Sequence, residues 1–180
     1  MRPLTVFMLP CSAKKSSHPA PVRKLYIGST FRQPLPVVTR EAALTAIWGY
    51  DTRVRVLSAR HGLLRLNEVI APHEQRMEDL DTAATAVLRS LVCGQLTELA
   101  GKHDQVEISA FLPRAYLRGL AGAAALAGHL VTDVYKGCRG IGDMRHLIAS
   151  MRDTQQNELP GIPKPRLACS EPLVAGGRAG

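Results

Sequence analysis

Residues 4–10, LTVFMLP, form a continuous apolar run. A strand buried on both faces of a parallel sheet reads this way. Pro10 ends the run, and residues 11–21, CSAKKSSHPAP, continue as a polar loop. In residues 53–58, Arg53 and Arg55 alternate with Val54 and Val56, the pattern of a half-buried strand. Residues 105–111, QVEISAF, alternate in the same manner, and residues 129–135, HLVTDVY, read as a fourth strand. Helical spacing fills the gaps. The segment VRKLYIG predicts a short helix stopped by Gly28, and Pro34 and Pro36 interrupt the next segment. Ala42, Ala43, Ala46 and Ile47 give an apolar face to a helix from about Thr39 to Trp48. The longest helix is expected over residues 78–100, where Leu80, Ala84, Val87, Leu88, Leu91, Val92 and Leu99 recur at helical spacing. Glu78, Asp79 and Asp81 stand at its start, where carboxylates complement the helix dipole, and Gly101 marks its end. Pro113 and Arg114 open a further helix, and residues 143–153, DMRHLIASMRD, predict a last one.

Strands alternating with helices imply an α/β fold. The expected architecture is a Rossmann-like, mainly parallel sheet of about four or more strands with helices on both faces. Residues 1–153 form the single domain in this reading. Residues 154–180, with Pro160, Pro163, Pro165 and Pro172 and the ending AGGRAG, are expected to be an extended tail.

The topology concentrates charge. Loops that come after parallel strands share one edge of the sheet, the edge where such folds bind ligands. The loops at 11–21, 59–76, 112–114 and 136–142 carry Lys14, Lys15, His18, Arg60, His61, Arg65, His73, Arg76, Arg114, Lys136 and Arg139. The chain has 23 Lys plus Arg against 15 Asp plus Glu, a net charge of +8, so the expected partner is anionic. Aromatic residues are 4% of the chain, too few for a broad stacking platform for single-stranded nucleic acid. Cys11, Cys93, Cys138 and Cys169 have no CxxC pair and no zinc-like spacing, and are expected to be free thiols of a reducing cytoplasm. No stretch of about 18 apolar residues predicts a membrane span. The apolar start is too short for a signal peptide.

Several clusters carry candidate chemistry. Cys11 comes directly after the first strand at the ligand edge, and Lys14 and Lys15 would favour its thiolate. A lysine of the same loop, Lys15 above all, would itself become nucleophilic if desolvated beside another cation. Of the two adjacent lysines, at most one is expected to face inward. Ser12 and Ser16 could bond phosphate. His61 and His73 suit acid–base work near neutral pH, and Glu68 and Glu74 could orient them. Ser58, Arg60, Gly62 and Arg65 stand in the same stretch. The glycine-rich turn KGCRGIG, with Lys136, Arg139 and Gly140, reads either as a phosphate-handling turn before a helix or as a plain strand-to-helix turn. Its spacing is not GxGxxG, and no GxxxxGK[ST] motif occurs, so a dinucleotide or P-loop site is disfavoured. Tyr26 and Phe31 offer a stacking face for a base or a piece of core. No metal site and no cofactor are expected.

Residues 57–79, LSARHGLLRLNEVIAPHEQRMED, resemble the signature of the YaaA-like superfamily through Leu57, Ser58, Gly62, Leu63, Leu64, Arg65, Ile70, Pro72 and Met77. Lys136, Arg139, Gly140 and Ile148 resemble its closing motif. The PCSAKK loop and residues 25–31 are similar to the opening of its short bacterial and phage relatives. His61 and His73 stand where that superfamily has tyrosines, and Asn67 with Glu68 replaces its acidic pair. The resemblance implies an association with DNA binding and peroxide stress. Similar domains occur in systems that alter 7-deazaguanine bases in DNA. Pro10, Cys11, Lys15 and His18 are also similar to the loop of archaeosine synthase, where a lysine attacks a nitrile on a tRNA base.

The expected function is therefore a nucleobase- or nucleoside-directed enzyme, acting on a nucleotide or nucleic acid by modifying a base substituent or cleaving an N-glycosidic bond. Cys11, Lys15, His61 and Glu68 would carry the chemistry. Ser12, Lys14, Ser58, Arg60, Gly62, Arg65, His73, Lys136, Arg139 and Gly140 would hold the substrate. The alternative is a non-catalytic DNA-binding protein of the stress response.

Overall fold

The computed structural model describes residues 2–103 and 106–157. A five-stranded sheet forms its centre, in the order β4-β3-β1-β6-β7. Strand β1 (Leu4–Pro10) is buried along its whole length. Strand β3 (Asp51–Ser58) runs parallel to it on one side, and β6 (Val106–Ala110) on the other. Strand β7 (Leu130–Asp133) continues the parallel set beyond β6. Strand β4 (Gly62–Arg65) turns back antiparallel to β3 and forms the opposite edge. Two short strands, β2 (Ala20–Pro21) and β5 (Val69–Ile70), pair beside it.

Helix α3 (Pro34–Ile47) packs on β1 and β3 and meets α6 (Ile141–Asn157). On the other face α4 (Thr82–Ala100) packs on α5 (Arg114–Leu126) and on β4. Two single-turn helices, α1 (Val22–Leu25) and α2 (Ser29–Arg32), lead into α3. The core joins Phe7, Met8 and Leu9 of β1 to Val37 and Val38 of α3, Val92 and Leu96 of α4, and Leu120 and Ala124 of α5.

Several elements differ from the sequence reading. Helix α3 begins at Pro34 instead of near Thr39, because a proline in the first helical turn gives up an N–H that has no partner there. Gly28 does not stop a helix: it precedes α2 in an extended conformation, and a Cβ there would lie 2.8 Å from Ser12 Cβ. Residues 77–79 form a separate 3-10 turn, and α4 starts only at Thr82, with Asp81 Oδ1 accepting the Ala84 N–H at 2.7 Å. Residues 59–76 are not one rim loop, since β4 carries Arg65 back along the sheet edge. Helix α6 runs past residue 153 to Asn157, and the expected tail and Cys169 lie outside the described residues.

The β3–β4 hairpin depends on Gly62, whose φ is +67°. Gln95 of α4 holds the hairpin: its Oε1 accepts the Leu63 N–H at 2.7 Å, and its Nε2 donates to the carbonyls of His61 and Leu63. A Cβ at Gly62 would meet Gln95 Oε1 at 2.2 Å. Gly62→Ala is therefore expected to lower unfolding free energy by roughly 1–3 kcal/mol. Gly94→Ala, at an exposed helical site with nothing within 4 Å, should raise it by up to about 1 kcal/mol. Urea denaturation of the two variants checks the contrast, and equal effects would contradict it.

Candidate functional site

The chain passes from β1 to β3 on one side, then crosses to β6 on the other. The crevice where strand order reverses therefore lies at the carboxyl ends of β1 and β6, the place where open α/β sheets bind ligands. A cavity of about 170 Å³ sits there, lined by Cys11, Ser12, Arg76, Glu78, Pro113 and Tyr116 among others. Each wall has a local cause. Pro10 ends β1, and the Cys11 N–H still bonds the Leu57 carbonyl at 3.1 Å, so Cys11 stays in the sheet's frame. Pro113 precedes α5 in an extended conformation, which leads the chain into the helix whose first turn carries Tyr116. The 3-10 turn at 77–79 places Glu78 at the cavity and buries Met77 beneath it.

Cys11 is buried, with Sγ 3.3 Å from the Tyr116 hydroxyl. The sequence suggested a thiolate favoured by lysines. Burial instead raises the thiol pKa, outweighing hydrogen bonds from Tyr116 and the Ala59 backbone and the charge of Lys15. Tyr116 is likewise held neutral, first by burial and then by the nearby thiol. The fully charged alternatives at this floor are costly because little water reaches them.

A second cluster adjoins the first. Tyr26 is fully buried, and its hydroxyl lies 3.2 Å from His73 Nε2. The His61 and His73 rings meet edge to face at 5.2 Å. Lys15 is the lysine that turns inward: its Nζ stands 5.8 Å from the Tyr26 ring centre, while Lys14 is exposed. Burial first, then the charges of Lys15, His61 and Arg60, lower the His73 pKa to about 4. His61 is lowered too, by burial and by Arg60, with Glu68 opposing. His73 Nδ1 is buried and has no hydrogen-bond partner among the described residues.

Other expected site residues serve the backbone. Ser12 Oγ donates to the Lys14 carbonyl at 2.7 Å and accepts the Gly28 N–H at 3.1 Å, which leaves it no proton to offer a phosphate. Ser58 is fully buried, and its Oγ accepts from the N–H groups of Arg60 and His61. Ser16 Oγ donates to the His18 carbonyl. Tyr26 and Phe31 are core, packed edge to face at 5.7 Å, so neither presents a face to a base. In the turn after β7, Asp143 Oδ2 accepts the Arg139 N–H at 2.8 Å, so a carboxylate already occupies the amide that a phosphate would use. Lys136, Arg139 and Gly140 are exposed and do not line the Cys11 cavity. Glu68 and Arg65 line a different cleft, beside Arg53 and Arg55.

The residues that sequence reasoning passes over are Tyr116 and Glu78, whereas Arg76, one of the charges expected on the rim, does line the cavity. Tyr116 is hidden in a helix rich in small residues. Glu78 has the look of a helix-start charge. A signal is present for both: Pro113 fixes the helix start three residues before Tyr116, and Pro72 with His73 ends any regular element before Glu78.

His73 gives a pH dependence with a definite sign. The unfolded imidazole takes its proton near pH 6.5 and the folded one only near 4, so between these values the unfolded state binds more protons. Stability from this group is complete above about pH 6.5 and is lost as pH falls through 4, by up to about 3 kcal/mol. Urea midpoints across pH 7.5 to 4 should fall more steeply for the wild type than for His73→Phe, which keeps a ring but cannot titrate. Parallel curves would contradict this.

No curated protein matches the chain. A sequence family described as a family of unknown function (DUF6884) matches residues 6–149, which takes in both clusters and every strand except the first two residues of β1. The chain belongs to that family.

Proposed function

We propose that the protein is a nucleobase- or nucleoside-directed enzyme whose chemistry occurs in the cavity at the ends of β1 and β6. The observation that carries this reading is the shared wall of that cavity: a thiol, a guanidinium and a carboxylate, from Cys11, Arg76 and Glu78. The volume of about 170 Å³ is below the roughly 300 Å³ of common drug-sized sites, so it suits one ring system with its sugar at the mouth. Neutral hydrogen-bonding groups at the floor, Cys11 and Tyr116, match the edge of a base better than they match an ion. Arg76 can hold a phosphate.

Of the two reaction types, N-glycosidic bond cleavage suits these groups better. Glu78 is exposed to the cavity and can take a proton from water or face a cationic sugar. Cys11, whose thiol burial keeps protonated, is a poor resting nucleophile. Lys15 and His73, with His61 beside them, would set the field around the floor, with neutral His73 as a hydrogen-bonding group instead of a base. The resemblance of residues 57–79 to the YaaA-like superfamily supports a nucleic-acid context. No helix among the described residues is long and apolar enough to cross a membrane. A cytoplasmic setting, where free thiols stay reduced, completes the reading.

A second reading, a DNA-binding stress protein without catalysis, is favoured by the same buried thiol, which is a structural group if nothing deprotonates it. Mass analysis after incubation with nucleosides, nucleotides and oligonucleotides separates the two. The enzyme reading expects release of free base or a mass change, reduced about 10²-fold or more in Glu78→Gln and much less in Cys11→Ser. No turnover with any substrate, alongside salt-sensitive DNA binding, would leave the binding reading.

A further inference from the structure

Arg53 and Arg55 of β3 and Arg65 of β4 line an open cleft of about 700 Å³ against α4, together with Asn67, Glu68 and Gln95. Arg55 and Arg65 are direct cross-strand partners. Like charges opposite one another destabilise a sheet, and here the pair is joined by a third arginine two residues along the same strand. Arg55 is half-buried, and burial together with Arg65 and Arg53 lowers its pKa, with Glu68 opposing.

Among the described residues no ion pair within 4.0 Å neutralises these cations. Among the described residues the one ion pair within 4.0 Å joins His103 and Asp51. Among the described residues the guanidinium groups of Arg53 and Arg55 each donate only to the carbonyl of the preceding residue, at 2.8 and 2.9 Å. Glu68 Oε2 accepts the backbone N–H of Arg65, at 3.2 Å. Glu98 also lines the cleft, so carboxylates temper the field without pairing. Planar forks with unused N–H donors, held on the rigid strands of a sheet, suit bidentate contact with phosphate oxygens.

We propose that this edge is a second binding site, for the phosphodiester backbone of a nucleic acid strand. Its position supports a polymer over a free nucleotide. Ser58, at the rim, and Arg55 are three residues apart on β3, about 10 Å at strand rise. Exposed Arg60 stands in the hairpin turn that joins the carboxyl end of β3, at the rim, to β4. Arginine positions therefore follow the edge from the turn at the rim, Arg60, to the cleft that holds Arg65, Arg55 and Arg53. One short strand can occupy it while a single base reaches the cavity. The binding site rests on these arginines alone and does not require the proposed chemistry; the approach of the strand's base to the Cys11 cavity does rest on that reading.

Fluorescence anisotropy tests it with the full chain, a labelled oligo-dT strand, and pyrophosphate as competitor, across a salt series. Arg55→Gln and Arg65→Gln are each expected to weaken strand binding several-fold. Each should reduce the slope of log affinity against log salt by about 0.7. Both should also keep or raise thermal stability, because each relieves the like-charge pair. Arg152→Gln, at an exposed arginine of α6 outside the cleft, should leave the slope unchanged, and because the test reads binding and not turnover, a failure of the catalytic reading does not disturb it. Binding of pyrophosphate but not of the strand would overturn the polymer and leave a small-phosphate site. Folded arginine variants with unchanged affinity and slope would overturn the site altogether.

Discussion

The site depends on the two-sided burial of β1. Its residues fill the sheet's centre, with β3 and β6 paired on either flank and helices above and below. Seven residues with every side chain buried supply hydrophobic stabilisation that no edge strand matches, at about 25 cal/mol per Å² of apolar surface removed from water. Because β1 is central, the chain must leave it in one direction and return on the other. The crevice at its carboxyl end is a consequence of that order, and Cys11, the first residue after the strand, is fixed at its floor.

That placement decides the electrostatics. Beside exposed lysines in water, Cys11 would be a thiol with a lowered pKa. At the end of a buried strand, desolvation outweighs the lysine's attraction, and the thiol, Tyr116 and Tyr26 all remain neutral. His73 obeys the same rule with the opposite sign of charge, since burial and the cations around it keep its imidazole uncharged. The floor of the cavity thus holds two neutral hydrogen-bonding groups, Cys11 and Tyr116, while the side chains of Arg76 and Glu78 stand at its exposed side. The arginines of the β3–β4 edge are the converse case. They keep their charge in an open cleft, and the sheet tolerates their mutual repulsion.

The fold is legible in the sequence because its signals are local and strong. The apolar run of β1, the alternation in β3 and β6, and the spacing in α4 point to an α/β sheet with helices on both faces. The antiparallel return of β4 is not legible. Its four residues, GLLR, look like the tail of a loop, and the turn is decided by Gly62 and by Gln95, which is distant in the chain. The same tertiary contact moves Arg65 and Glu68 out of the expected rim. The charge near Cys11 is present as the sequence implies, but it does not decide the state of the thiol, because burial depth is not written in a single sequence. Ser12 and Ser58 are candidate ligands by residue type, and the backbone around them uses their hydrogen bonds.

The cavity at the ends of β1 and β6 is central, as the place proposed to receive a base. Backbone amide mapping by two-dimensional NMR during titration with nucleosides tests this most directly. Saturable shifts are predicted for the amides of residues 11–13, 75–78 and 114–116 and of Ala59, and for no others. Shifts absent from those three segments, or confined to the arginine edge, would contradict it.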